Sequence, residues 1–291
     1  MFADFKNNYK KEIDQQILKL IAEQPIPQKL KEAMIYSVEV GGKRLRPILL
    51  FAVLEALGGD VKRGYRTAAA LEMIHTYSLI HDDLPAMDDD DVRRGKPTNH
   101  KVFGEATAIL AGDALLTDAF SVLSQDETLD VNTRLRLISE LAQAAGGVGM
   151  VAGQALDMEA ENKQISLADL KHIHAHKTGC LIKFAIVAGA IIGNANEETL
   201  QSLRQFADHL GLAFQIKDDI LDVEGDSELM GKAVGSDLLN EKCTYVSLTS
   251  LEAAKLMLDE EIRSALNILE QLPLKKEILE AIIIYIKERQ A

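Results

Sequence analysis

The chain has 291 residues, 47% of them hydrophobic, enough to build a sizeable core and too apolar for a disordered or fibrous protein. Its formal net charge of -13 excludes a basic nucleic-acid-binding face, so any anionic ligand has to be met by local basic groups or by metal. Cys180 and Cys243 form no paired-cysteine motif, which argues against a disulfide framework and fits reduced thiols in a cytoplasm.

The opening MFADFKNNYKKEIDQQ carries Asp4 almost at once and lacks the apolar core of a signal peptide, so a cytoplasmic protein is expected. All six prolines lie at 25, 27, 47, 85, 97 and 273, and the long span between the last two is rich in Ala, Leu, Ile and Glu. Such a span favours helices. Hydrophobic periodicity predicts them near 9–23, 28–40, 47–57, 64–84, 105–124, 132–161, 167–192, 197–222, 249–270 and 274–288. No alternating strand pattern is present and no Ser/Gly/Pro-rich linker divides the chain, so residues 1–291 read as one all-α domain.

Ahead of the third helix, GGKRLRP from Gly41 to Pro47 gathers Lys43, Arg44 and Arg46 before a proline suited to open a helix. Backbone N–H groups and cations there could cradle an anion. The fourth helix runs through Leu71, Met73, Ile74, Leu79 and Ile80 directly into Asp82 and Asp83, with Asp88 to Asp91 close behind. Carboxylates this near raise one another's pKa unless a cation sits among them. The apolar approach argues against a merely solvated acidic loop. Asp82 and Asp88 are six apart, on different faces of a regular helix, but Pro85 stops that helix and lets Asp88 swing back. Arg93 and Arg94 follow at once.

Farther along, Gly146, Gly147, Gly149 and Gly153 sit inside one helical pattern, where each costs stability, and predict close helix packing. SLAD at 166–169 and TSLE at 249–252 look like capping boxes. His172 and His176 have the spacing of a ligand pair but no accompanying carboxylate motif, and read as solvated or hydrogen-bonded histidines. Lys177 and Thr178 come next, in mid-helix. The run from Phe184 to Gly193 is too short to cross a bilayer and reads as a buried helix. FQIKDDILDVEGD, from Phe214 to Asp226, then echoes the first acidic segment, and Asp218 and Asp222 share a helix face roughly 6 Å apart along the axis. Lys232 follows in MGKAVGSD. Mg²⁺ takes only oxygen ligands and is held by carboxylates together with substrate phosphates, so two acidic edges and several basic groups outline a cavity for phosphorylated ligands.

GGKRLRP, HDDLPAMDDDDVRRGKPTNH, GDALL, GQALDME, HKTG, FQIKDDILD and GKAVGSDLLNEKCTY, in this order from about Gly41 to Tyr245, resemble the motifs of the trans-isoprenyl diphosphate synthases. The likeness is greatest to the bacterial-type farnesyl diphosphate synthases. It implies an all-α bundle around a deep central cavity, usually a homodimer, with the two acidic motifs facing each other at the mouth. It also implies Mg²⁺, three ions with substrate bound and Mn²⁺ as the alternative metal. Asp82, Asp88 and Asp218 would bind it against the allylic diphosphate, assisted by Asp83 and Asp222.

Arg93, Lys177 and Lys232 would hold that diphosphate, and Lys43, Arg46, His75 and Arg94 would hold isopentenyl diphosphate. Thr178 and Gln215 match positions lining the reacting carbons, so the implied catalytic set is Asp82, Lys177, Thr178, Gln215 and Asp218. Tyr77 and Ser78 match the positions whose bulk sets product length. A large Tyr77 beside a small Ser78 implies a fifteen-carbon product, with the twenty- and ten-carbon ones as alternatives. The implied reaction joins isopentenyl diphosphate to dimethylallyl and geranyl diphosphate through an allylic cation, with loss of a proton. Its ligands are small isoprenoid diphosphates, without nucleic acid and without stable membrane insertion.

Other classes fit the motifs less well. A phosphohydrolase with a His-Asp pair is suggested by His81 and Asp82 but leaves the second acidic motif and GGKRLRP without a role. A terpene cyclase would carry an Asn/Ser/Glu-type second motif in place of Asp218, Asp219 and Asp222. A non-catalytic partner subunit would have lost an acidic motif, and this chain has both.

Overall fold

A helix that is hydrophobic on nearly every side has to be buried in the middle of a molecule. The computed structural model describes residues 2–161, 163–225 and 243–290. In it α3 (Leu45–Ala56), α4 (Tyr65–Asp82) and α10 (Cys180–Ile192) are buried on nearly every side. α10 packs against α3 and α11 (Glu197–Glu224), and α4 packs along α6 (Glu105–Ser124).

Around these lie α1 (Phe2–Ala22), α2 (Gln28–Glu39), the short α5 (Asn99–Phe103), α7 (Val131–Ala145), α8 (Met150–Ala160) and α9 (Leu167–His174). The outer helices bury one stripe each: Ile13, Ile17 and Ile21 on α1, and Leu137, Leu141 and Ala145 on α7, every fourth residue in both. The helices Leu251–Gln271 and Glu277–Glu288 close the bundle. One apolar cluster runs from Phe5 to Ile286. The all-α reading therefore holds, interrupted among the described residues only by a small antiparallel hairpin of β1 (Val92–Arg93) and β2 (Lys96–Pro97), with Val92 opposite Pro97. Strands of two residues are too short to show alternation.

The predicted helices are all present, and the departures have local causes. The first begins at Phe2 rather than at residue 9, because Phe2 packs on Tyr285 and Phe5 on Tyr9. The predicted 132–161 helix divides between α7 and α8, where Gly146 and Gly149 leave helical geometry. Of its four glycines, Gly153 is the one that serves a close helix approach, since a Cβ there would overlap the Lys177 backbone.

The predicted 167–192 helix is interrupted by a π turn, Ala175–Gly179. The capping box at Ser166 and Asp169 forms. At the second site the cap is Ser250, which accepts from the Ala253 N–H, because Thr249 already closes the short helix Tyr245–Leu248. Glu105–Ser124 and Leu167–Ile192 are long and apolar enough to cross a membrane by length and composition, although the second lies mostly inside the core.

Candidate active site

α4 ends at Asp82, and Asp83 caps it. The chain then reverses around Pro85: the Met87 N–H donates to the Leu84 carbonyl and the Asp88 N–H to the Asp82 carbonyl, both at 2.9 Å. Asp88 thus returns to Asp82 as expected of a proline-stopped helix. Burial pushes the Asp82 carboxyl up to about 6, with Asp88 and Asp83 adding to the rise and Lys177 and Arg93 opposing it. Asp83 is buried and receives Arg93 Nε at 2.7 Å and Nη2 at 2.6 Å on one oxygen. Asp89 to Asp91 face solvent, and Asp91 pairs with Lys101 at 2.6 Å. Asp89, Asp91 and His100 each bring a ligand-type atom within 4.8 Å of the others.

The second motif is built on an unbroken helix. On α11 Asp218 faces outward enough to meet Arg289, whose Nη2 lies 2.6 Å from its Oδ1. The same guanidinium donates to the Phe214 carbonyl at 3.0 Å and stacks over the Phe214 ring at 4.2 Å. Asp219 and Asp222 are buried. Asp219 accepts the Tyr245 N–H at 2.8 Å and Gln215 Nε2 at 3.2 Å.

The π turn joins the two acidic motifs. A π turn inserts one residue into a helix and re-aims the side chains beyond it. Here Lys177 Nζ lies 2.6 Å from Asp157 on α8, and Thr178 Oγ1 donates to Gln215 Oε1 at 3.1 Å. Burial opposes the Lys177 charge, but Asp157 outweighs it and raises the pKa, with Asp82 and Asp88 contributing.

The basic residues divide into two kinds. Arg44 turns inward to Asp14 at 2.6 Å, Glu72 at 2.9 Å and the Val38 carbonyl at 2.7 Å, so it serves the fold. α3 opens at Leu45, with Pro47 two residues inside it rather than at its start. Arg46 Nε is buried with no hydrogen-bond partner among the described residues. The Arg94 guanidinium lies over Gly42, where a Cβ would come within 2.6 Å of Nη1. His75 stands between Arg46 and Arg94, and burial together with those charges pushes its pKa well below the usual value, leaving it neutral. Lys43 is close enough to Arg289 and Asp218 for their charges to act on it. Lys232 lies outside the described residues.

A cavity of about 390 Å³ has Asp82, Arg46 and Lys177 among its polar lining residues and Tyr77, Met150 and Met158 among its apolar ones. Ser78 also lines it, with its hydroxyl donated to the His75 carbonyl at 2.9 Å. A second cavity of about 150 Å³ shares Lys177, Thr178 and Gln215 and is bounded by Asp157, Asp219 and His174, a histidine that burial pushes down to about 4. Arg93 and Arg289 sit on carboxylates of the two motifs as stand-in cations. A set of carboxylate oxygens in which burial, and then Asp88 and Asp83, disfavour the Asp82 charge fits a hard divalent cation such as Mg²⁺.

Sequence reading missed Asp157 and Arg289, and named Asp219 only as a member of the second motif without a role. Asp157 stands inside GQALDME and Asp219 inside FQIKDDILD, so both carried a signal. Arg289 belongs to no motif and is found only through its contact with Asp218. His81, which suggested a His-Asp pair, has Nε2 engaged by the Ile109 carbonyl at 3.1 Å.

Comparison with known proteins places this geometry. Residues 27–285 match the family model described as polyprenyl synthetase. The chain is 53% identical over 279 residues to the farnesyl diphosphate synthase of Bacillus subtilis, covering 95% of this chain and 94% of that one. It is 56% identical over 263 residues to the farnesyl diphosphate synthase of Geobacillus stearothermophilus, covering 90% and 89%. Among solved structures, geranylgeranyl pyrophosphate synthetase from Pyrococcus horikoshii superposes with a TM-score of 0.90 at 33% identity, over 99% of this chain and 98% of that one. A largely apolar cavity that ends at Asp82 of the first acidic motif, a family match across most of the length and relatives sharing half of its residues lead to one conclusion: the chain belongs to the polyprenyl synthetase family.

Proposed function

We propose that the protein is a prenyltransferase that condenses isopentenyl diphosphate with dimethylallyl and then geranyl diphosphate to give farnesyl diphosphate. The observation that carries this reading is the single cavity of about 390 Å³ with carboxylate and basic groups together with an apolar wall, in a chain about half identical to farnesyl diphosphate synthases. Asp82, Asp88 and Asp218, assisted by Asp83 and Asp222, would hold the metal, which as Mg²⁺ or Mn²⁺ would supply positive charge against the leaving diphosphate. Three ions are expected with substrate bound. Arg93, Lys177 and Lys232 bind the allylic diphosphate and stabilise the charge that develops on it as the C–O bond breaks.

Lys43, Arg46, His75 and Arg94 hold isopentenyl diphosphate, and the partnerless Arg46 Nε supports an anion there. Thr178 and Gln215 turn oxygen dipoles toward the allylic cation. Met150, Met158 and Tyr77 keep out the water that would quench it to an alcohol. No side chain is assigned as the base, and the departing diphosphate takes the proton. Tyr77 closes the space available to the hydrocarbon, and Ser78 leaves room beside it. The Pyrococcus relative shares the backbone but is named for a different product, so product length belongs to side chains rather than to the fold.

The single contiguous core supports one domain. α6 exposes Ile109 and Leu110, 43% and 58% accessible, which supports a homodimer in which a second copy covers that face, expected to lie in the cytoplasm. Sedimentation equilibrium of Leu110→Lys tests the dimer: a variant as dimeric as the wild type removes α6 from the interface. The function is tested by supplying labelled isopentenyl diphosphate with each allylic partner and separating the products by chain length. Fifteen-carbon product that disappears in excess chelator is expected. Release of inorganic phosphate without chain growth would favour a phosphohydrolase, and full activity in chelator would remove the metal.

A further inference from the structure

His81 follows Tyr77 by one helical turn on α4, so both rings lie on one face. They meet edge to face, with centroids 5.7 Å apart and planes at 78°. Side chains on a helix lean toward its N-terminus, which lays the His81 ring over the turn that carries Tyr77. His81 Nε2 lies 3.1 Å from the Ile109 carbonyl on α6. A carbonyl only accepts, so Nε2 carries the hydrogen and donates it. The ring reaches that carbonyl because Gly112 leaves a notch in α6, where a Cβ would overlap Nε2 itself. Both rings line the cavity that also holds Asp82.

These contacts leave His81 little freedom. Its polar end is tied to a neighbouring helix, its edge rests on Tyr77, and the glycine notch defines how deeply it seats. Tyr77 is 6% exposed and lines the cavity, so where its ring stands depends on what braces it. α4 and α6 are packed along one another, which makes the brace an interhelical strut rather than a contact within one helix.

We propose that His81 is a positioning residue for product length: seated in the Gly112 notch and bonded to the Ile109 carbonyl, it holds the Tyr77 ring across the cavity. The inference rests on the reading above, in which the cavity takes the growing chain and Tyr77 limits it. His81 acts through Tyr77 and meets no reacting atom. Two substitutions then act in opposite directions. His81→Ala removes the brace and lets the Tyr77 ring rotate aside, lengthening the product. Gly112→Ala drives the imidazole out of its notch toward the cavity, shortening it.

The test measures the ratio of products formed from isopentenyl diphosphate with dimethylallyl or geranyl diphosphate, a ratio that does not depend on how much of a variant folds. His81→Ala is expected to raise the twenty- to fifteen-carbon ratio roughly two- to tenfold, the worth of one edge-to-face ring pair. Gly112→Ala is expected to raise the ten-carbon share. His81→Phe, which keeps a ring against Tyr77, is expected to stay within about twofold of the wild-type ratio. Tyr77→Ala is the reference, and it lengthens the product outright.

A wild-type ratio in His81→Ala beside a shifted Tyr77→Ala overturns the inference, and so does an equal shift in His81→Ala and His81→Phe. An unshifted Tyr77→Ala overturns it together with the role of Tyr77. No elongated product from the wild type overturns the function itself, which is a different result from either.

Discussion

The two acidic motifs repeat the same letters, yet the molecule builds them differently. The first lies where α4 ends and the chain doubles back, so its carboxylates come from a helix terminus and a turn. The second lies within α11, so its carboxylates are spaced by helix geometry alone. The adjacent aspartates differ most. Asp83 is spent on Arg93, beside the basic cluster. Asp219 is spent on the backbone of Tyr245 and on Gln215, inside the bundle. Under the proposed function, a DDxxD-like string mixes residues that face the ligand with residues also engaged by the protein itself, and only their partners separate the two.

The strongest way to break that distinction is to remove the ligand-facing members. Asp82→Ala and Asp218→Ala should each lower kcat by on the order of 10³-fold, the scale of losing charge stabilisation in the transition state. Asp82→Ala should not lower the melting temperature of the metal-free protein, and a large loss there would mark Asp82 as a frame residue instead. Asp218→Ala should lower it, because it leaves the buried Arg289 guanidinium without its carboxylate.

The next test uses pH. Asp82 binds its proton more tightly when folded, at about 6, than at its ordinary value of 3.8. The stabilisation from that proton is fully present below about pH 4 and is lost as pH rises through about 6. Without metal, Asp82→Asn should therefore gain stability relative to the wild type between pH 4 and 7, by roughly 2–3 kcal/mol at most. Denaturant unfolding in chelator measures this, and a difference that is flat with pH would show that burial does not strain Asp82.

A smaller effect is expected at the frame aspartate. Asp219→Ala strands the Tyr245 N–H inside the protein and should cost about 2 kcal/mol of stability whether or not metal is present. An unchanged melting temperature would erase the contrast with Asp82. The smallest effects sharpen the assignment of the basic groups. Lys43→Ala and Arg46→Ala should raise KM for isopentenyl diphosphate about tenfold, while Arg93→Ala and Lys177→Ala should act chiefly on the allylic substrate. Equal effects on both substrates from all four would merge the two groups into one.

Much of this was legible in the linear chain. The apolar run into Asp82 and the stop at Pro85 announced a helix that ends on carboxylates, and Ser166 with Asp169 announced a helix start. Other features were not legible, for identifiable reasons. The π turn at 175–179 adds one residue to a helix without changing its composition, so periodicity passes over it. The division at Gly146 and Gly149 looked like packing glycines, because a break and a close approach call for the same residue. Arg44 looked like one of three anion-binding cations until Asp14 and Glu72, far from it in sequence, claimed it.

Local chemistry is what a linear chain carries well. Periodicity, proline stops, caps and the spacing of carboxylates all act within a few residues, and they were enough to establish an all-helical chain, its metal-type oxygen donors and the family its motifs resemble. Partnership acts across the chain. Whether Arg289 reaches Asp218, whether Lys177 rests on Asp157, and whether His81 finds a notch at Gly112 depend on which helices pack together and how deeply. Those choices were made by burying the apolar faces of α4, α6 and α10. That burial is non-directional, and it positions polar groups that no local rule could have paired.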